Sequence, residues 1–274
     1  MKTIVVSKED IGGMNIHSRL SENFDFTETG QSYKGNPFFE SKKSALRLVL
    51  IDSLHIFSED LDALGAEFII FASRHSSKSG TPTLSVHPVG NWGKAELGGQ
   101  DRMLGESSAS LMKNYLLGLK EKKEVMGLEF EVSYEATHHG PFLQTPCCFI
   151  EIGSADAQWR DEKAGLAVAE TIMERTSFPS CKPAIGIGGL HYNPHFTEIA
   201  LSTEYAFSHM CPKYALPNFS LEMLEKAVSA SVEKPEAIVI EYKGLGGEKQ
   251  RILSLLEKSP VPVKRTNEIK NAKE

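Results

Sequence analysis

Six short, dense aliphatic runs constrain most strongly what this chain can become: residues 2–7, 45–51, 67–72, 147–152, 184–189 and 237–242. Runs of this length, closed by small polar residues, read as buried strands and are too short for core helices. Between them lie helix patterns. Ser58 caps a short helix that Gly65 stops, and Ser107 or Ser108 opens a longer one. On that longer helix Leu111, Met112, Tyr115, Leu116 and Leu119 form an apolar stripe opposite Lys113, Lys120 and Lys123, and it ends near Gly127. Further helices are predicted over 158–175, 220–231 and 248–258, a half-buried strand over 130–136 and a short last strand over 261–265. Alternating strands and helices predict an α/β fold, a three-layer α/β/α sandwich around a mixed, mostly parallel sheet. No linker, repeat or low-complexity segment interrupts residues 1–274, so the expectation is a single catalytic domain.

In such sheets ligands gather at the carboxyl ends of the strands, and that is where the histidines fall. Seven of the nine lie in three glycine- and proline-punctuated stretches: 71–93 (His75, His87), 137–141 (His138, His139) and 188–211 (His191, His195, His209). Imidazole both ligates divalent metals and exchanges protons near neutral pH, so this clustering points to a hydrolytic or metal site. His17 and His55 stand apart and carry no such implication. The four cysteines, Cys147, Cys148, Cys181 and Cys211, contain no CxxC pair and read as free thiols of a reducing cytosol, with Cys211 the one candidate for a metal site. No run approaches a membrane span, and MKTIVV is too short for a signal core, so a soluble cytoplasmic protein and a monomer are expected. The net charge of −6 argues against a general nucleic-acid coat and leaves three local basic patches: Lys42/Lys43/Arg47, Lys120/Lys122/Lys123 and 243–251.

Several constellations bear on chemistry. His138 and His139 cannot both chelate one ion from a regular strand, but Gly140-Pro141 forces a turn that separates their roles. His191 and His195 are four apart after a flexible turn, and His195-x-x-Glu198 has the spacing zinc hydrolases use on a helix. GIGG fails as a nucleotide fingerprint because no glycine stands at the third glycine position; Gly188 and Gly189 then serve close packing or a loop that opens around substrate. The donor-rich segment from Arg74 through Ser76 and Ser77 suits a phosphate or terminal ribose. No GxSxG elbow favours a serine nucleophile. Among the acids Glu135, Glu151, Glu198 and Glu204, Glu151 stands out because a carboxylate inside CCFIEIGS is costly to bury unless paired or metal-bound.

The blocks SRHSSKSGTPTLSVHPVGNWG, YEATHHGP, IEIGS, GIGGLHYNPHFTEIAL and EYAFSHMCPKYAL, in that order, resemble the archaeal-type D-aminoacyl-tRNA deacylase family, also found in plants. The resemblance covers most of the chain. It implies a hydrolase that cleaves the ester between a D-amino acid and the 3′-terminal adenosine of tRNA, is zinc-dependent, and has a fold of the phosphorylase/peptidyl-tRNA hydrolase type. No ligand set comes with it. From the residues, one or two Zn²⁺ ions are expected on some of His75, His138, His139, Glu151, His191 and His195. The preferred assignment gives His75, His139, Glu151 and His195 to metal and His138, His191 and Glu198 to catalysis. Arg74, Ser76, Ser77, Gly188, Gly189 and Tyr192 are then left to the substrate. The expected partner is the acceptor end of D-aminoacyl-tRNA. A zinc amidase or carboxypeptidase-like enzyme built on His195-x-x-Glu198 and His209 is the rival reading.

Overall fold

A computed structural model describes residues 1–271. In chain order the elements are β1 (Lys2–Ser7), α1 (Ile11–Asn23), β2 (Thr27–Tyr33), β3 (Asn36–Ser41), β4 (Leu46–Ile51), β5 (Phe68–Arg74) and β6 (Thr83–His87). Next come α2 (Ala109–Met126), β7 (Glu131–Tyr134), β8 (Cys147–Gly153), α3 (Asp156–Trp159), α4 (Glu162–Glu174) and β9 (Lys182–Gly189). The rest are α5 (Pro194–Ser202), β10 (Tyr205–Pro212), α6 (Leu221–Ser229), β11 (Ala237–Ile240), α7 (Lys249–Leu256), β12 (Val263–Arg265) and α8 (Thr266–Asn271). No helix among the described residues is long and apolar enough to cross a membrane.

The expected mixed, mostly parallel sheet is present and has eight strands in the order β2-β3-β4-β1-β5-β8-β6-β7. Its centre is parallel, while β6 runs antiparallel to β8 with Ser85 opposite Glu151 and His87 opposite Phe149. The last four strands form a separate parallel sheet, β10-β9-β11-β12. Residues 135–137 stitch the two together. The Glu135 N–H donates to Val86 of the first sheet, Ala136 to the His191 carbonyl and Thr137 to Met210 of the second.

The side-chain period of 2 gives the large sheet two different faces. Ile4, Val6, Ile70, Val86, Cys148 and Ile150 pack under α1, α2 and α4 in one core. Val5, Ile69, Phe71, Cys147 and Phe149 point the other way, where only 3₁₀ turns and loops cover them through Leu61, Leu64, Val89 and Leu143. Ser73, Ser85, His87 and Glu151 share this helix-free face. A sheet face without a helix layer has room for a cavity, and this one holds the site.

Local capping follows the sequence. Ser108, Asp161 and Ser220 accept from the N–H groups of Leu111, Ala164 and Met223 to start α2, α4 and α6. Gly127 ends α2 in the left-handed region at φ 64°. The helix expected over 158–175 is therefore two, because Asp161 caps a new one after α3. The expected helix after Ser58 is a 3₁₀ turn at Leu61–Leu64. Strand β2 and helix α1 escape sequence reading for opposite reasons. TETGQSY is an exposed polar edge strand, and α1 buries Gly12 and Gly13 where an aliphatic stripe is ordinarily sought. Those glycines allow close approach: a Cβ on Gly13 would lie 2.7 Å from the Ala72 carbonyl oxygen.

Candidate active site

Four elements deliver one buried cluster. His75 follows β5, His87 ends β6, Glu151 lies within β8, and Glu135, His138 and His139 occupy the segment after β7; His191, from the loop after β9, closes it. The Glu135 Oε2 atom lies 2.9 Å from His75 Nδ1, 3.0 Å from His191 Nε2 and 3.8 Å from His138 Nε2. Glu151 Oε2 is 3.6 Å from His75 Nδ1 and 3.4 Å from His87 Nε2. Despite the short separations no N–H aims along these lines, and both Glu135 oxygens, His75 Nε2 and His87 Nε2 are buried without a hydrogen bond. Buried polar atoms left this way in a native core call for an explanation.

The imidazoles after β7 are oriented by the backbone. His138 Nδ1 is 2.7 Å from the Ala136 carbonyl and His139 Nδ1 2.7 Å from that of Gly140. A carbonyl only accepts, so both Nδ1 atoms carry the proton and both Nε2 lone pairs face the cluster. His87 Nδ1 lies 3.2 Å from the Pro88 carbonyl in the same manner, and its ring lies flat on Phe149 at 4.9 Å. A regular strand would send the rings of His138 and His139 to opposite faces. His139 instead adopts φ +46°, in the left-handed region, and the two ring centroids come within 4.3 Å.

Electrostatics divide the cluster. Burial, with the charge of neighbouring His87, holds His138 well below the usual histidine range, and burial brings His139 down to about 4, so both are neutral. Burial also opposes charge on His75, but adjacent Glu135 and Glu151 outweigh it and raise His75 to about 11. His87 is raised against burial by Glu151. Both carboxylates in turn stay ionised against burial because of these imidazoles. Two buried negative charges thus call for positive charge close by, which favours the charged form of the imidazoles of His75 and His87.

Zinc fits this donor set. Its ligand bonds of ~2.0–2.1 Å place tetrahedral donor atoms roughly 3.3 Å apart. Three groups offer atoms all within 4.8 Å of one another: His75/Glu135/His191, His87/His138/His139 and His87/Glu135/Glu151. The fixed Nδ1–H···O=C contacts are the outer-shell bonds that ligating histidines use. A divalent cation would supply the positive charge that the two carboxylates call for.

The cluster opens into a cavity of about 330 Å³ lined also by Asp10, Leu54, Ile56, Ser73, Arg74, Ser76 and Leu97. Arg74 lies with its guanidinium carbon 4.9 Å from the Trp159 ring centre. The Tyr192 ring packs edge-on to His75 at 5.3 Å. His55, also at the wall, accepts from the Ser7 N–H at 2.9 Å and is structural.

Other expected site residues lie elsewhere. His195 and Glu198 are corrected outright: they sit on the exposed side of α5, 48% and 60% exposed, and both contact Lys270. Neither lines the cavity nor joins a donor group. Gly188 and Gly189 are packing positions. A Cβ on Gly189 would lie 2.0 Å from Asn193 Oδ1, and one on Gly188 2.9 Å from the Glu241 carbonyl oxygen. Ser77 is spent on a turn, its N–H donating to Ser154 and its hydroxyl bonded to Ser79. Glu204 pairs with Lys182 on the surface. His209 and Cys211 are buried in β10, with His209 against Thr137 and the Ala230 carbonyl.

The residues missing from the expected ligand set are Glu135 and His87. Each had a signal. Glu135 falls on the polar phase of the alternating strand before two histidines, and His87 closes the short run TLSVH.

A buried imidazole–carboxylate cluster opening into a cavity on a mixed α/β sheet defines a hydrolase-type centre. A family model described as D-aminoacyl-tRNA deacylase matches residues 63–264. A protein of Thermococcus onnurineus named D-aminoacyl-tRNA deacylase is 43% identical to the chain, with 93% of this chain and 96% of that one covered. One of the same name from Pyrococcus furiosus is 42% identical over 92% and 94%. A crystal structure of a conserved protein of unknown function superposes with a TM-score of 0.89 at 34% identity, covering 99% of this chain and 97% of that one. The chain belongs to the D-aminoacyl-tRNA deacylase family, and it is an enzyme.

Proposed function

We propose that this chain hydrolyses the ester joining a D-amino acid to the 3′-terminal adenosine of tRNA, with the reaction centred on Glu135 and the imidazoles around it. The observation that carries this reading is Glu135 itself, fully buried, with neither oxygen hydrogen-bonded and His75 and His191 at 2.9 and 3.0 Å from one of them. Family membership supplies the substrate class; free D-amino acid and tRNA are the products, so mischarged tRNA is returned to use.

The residues that would hold zinc are His87, Glu135 and Glu151, with His139 offering a further donor atom beside His87, which leaves His138 and His191 free for proton transfer. When bound there, zinc supplies Lewis-acid polarisation of the ester carbonyl and acidification of water toward a pKa of ~7.

This chain's own groups account for the proton traffic. His138, neutral and with Nδ1–H held by the Ala136 carbonyl, presents Nε2 to take a proton from the attacking water. The water oxygen bonds to the ester carbon, the bond to the ribose oxygen breaks, and that oxygen receives a proton. His191, partly exposed at the mouth of the cluster, is placed to deliver it. Arg74 and Ser76 on the cavity wall offer donors to the ribose or its phosphate. Leu54, Ile56 and Leu97 give the cavity an apolar wall, and its fixed shape would admit one configuration at the α-carbon and exclude the side chain of the other.

The test is hydrolysis of matched D- and L-aminoacyl-tRNA by wild type and His138→Ala, with and without a chelator and zinc. D-selective hydrolysis that disappears in the variant is expected. Equal rates on both enantiomers, or full activity of His138→Ala, would overturn the reading.

A further inference from the structure

Of the three basic patches in the sequence, two are partly consumed within the fold and lie apart from the site. Lys120 pairs with Glu124 and Lys122 with Glu170 and Glu174, while Arg47 donates to the Leu64 carbonyl and lies over Phe38. The third lies beside the site. Strands β9, β10, β11 and β12 are parallel, so the residues that follow them emerge on one edge. After β9 come Leu190 and the site residue His191; after β10, Lys213 and Tyr214; after β11, Tyr242 and Lys243; and β12 ends at Arg265.

Three features of this edge are coupled. Tyr214 is 61% exposed, and its hydroxyl lies 3.5 Å from His191 Nδ1, so an exposed aromatic ring begins where the reaction cluster ends. Tyr242 has two cations against its ring, with Lys249 Nζ 4.3 Å and the Arg265 guanidinium carbon 4.2 Å from its ring centre. Lys213 runs against the turn at Gly246, beside exposed Lys243. Among the described residues none of Lys213, Lys243, Lys249 and Arg265 has a side-chain carboxylate partner. Of the acids nearby, Glu248 pairs with Arg251 and Glu198 with Lys270, while Glu241 beside His195 and Glu268 on the Arg265 N–H keep their charges. Four cations against these two acids leave an excess of positive charge here in a chain whose net charge is −6.

We infer that this edge docks the single-stranded 3′ end of the RNA, with Tyr214 as the platform for a base next to the scissile ester and Lys213 and Lys243 on the phosphates that follow. The inference rests on the proposed deacylase activity and assigns its RNA-binding surface. An exposed aromatic flanked by unpaired cations is the usual construction for single strands, since every base has a stacking face and every linkage a charge. An acidic protein partner would use the cations and leave Tyr214 idle.

The test compares two substrates of the full-length enzyme, D-aminoacyl-tRNA and the 3′-D-aminoacyl ester of adenosine, which has no phosphate. For Lys213→Glu/Lys243→Glu, the ratio of kcat/KM on tRNA to kcat/KM on the adenosine ester is expected to fall at least tenfold. The slope of log(kcat/KM) against log[salt] on tRNA should shrink by about 1.4, roughly 0.7 for each phosphate that is no longer neutralised. Tyr214→Ala should lower kcat/KM by about tenfold on both substrates, since each carries the adenine next to the ester, and Tyr214→Phe should restore it. An unchanged substrate ratio and salt slope in the double variant would overturn the surface while leaving the deacylase reading intact. A double variant equally impaired on both substrates would overturn it too. If wild type hydrolyses neither ester, the deacylase reading itself fails.

Discussion

Two regions of this molecule hold a histidine beside a glutamate, and only one has the makings of an active site. His195 and Glu198 on α5 have the recognised spacing, yet both are exposed and turned toward Lys270. Glu135 shares no such motif with His75 or His191, yet fully buried it meets both within 3.0 Å. Water and a lysine satisfy the first pair, so nothing there is left over to bind or react. The second is sealed on a sheet face without helices, where unsatisfied lone pairs and two buried charges must find a cation or protons. Chemistry here comes from convergence and desolvation, which a local spacing does not reveal.

The contrast is most sharply tested at the two glutamates. Glu135→Gln removes a buried negative charge at the centre of the cluster, and kcat/KM on D-aminoacyl-tRNA should fall on the order of 10³-fold, about 4 kcal/mol of transition-state stabilisation. A loss of less than tenfold would move the centre elsewhere. Metal loading gives the next effect: zinc at about a hundredfold above its Kd should stabilise the protein by ~2.7 kcal/mol, read as a rise in Tm that a chelator reverses. His87→Ala or His139→Ala should lower the zinc content measured on the purified protein, whereas His195→Ala should leave it at the wild-type level. Loss of zinc in His195→Ala alone would invert the comparison.

His209 sharpens the contrast from a third side, as a buried histidine with no carboxylate beside it. Burial takes it down to about 4, so the folded state holds it neutral while the unfolded chain takes up a proton near 6.5. Because the unfolded state binds more protons between these values, stability is fully present above about 6.5 and declines as pH falls toward 4. Between about pH 7.5 and 5 this group should cost about 2 kcal/mol in denaturant titrations, and His209→Gln should flatten that part of the profile. The smallest effect belongs to the exposed pair: Glu198→Gln should change kcat/KM by less than about twofold and stability by less than about 0.5 kcal/mol.

Much of the frame is legible in the chain. The dense runs at β1, β4, β5, β8, β9 and β11 declare themselves because strands buried on both faces need apolar residues throughout. Strand β2 does not, being a polar edge, and α1 does not, because its buried face is partly glycine. The histidine clusters contain His75, His87, His138, His139 and His191 along with His195 and His209, which lie elsewhere, and the cost of burying a carboxylate in an apolar run singles out Glu151. Glu135 and His87 reach the cluster through tertiary placement: the antiparallel reversal of β6 and the crossing of residues 135–137 between two sheets. Neither event has a sequence signature, since strand direction within a sheet depends on connections made elsewhere.

The sequence alone determined the α/β class, the main strands and the types of side chain that would do chemistry, because propensity, period and desolvation cost act over a few residues. Tertiary structure decided the rest: which face of the large sheet stays free of helices, which histidines meet Glu135, and that His195 and Glu198 remain in solvent. Those outcomes depend on distances between residues far apart in the chain, set by the packing of whole elements and by no segment alone.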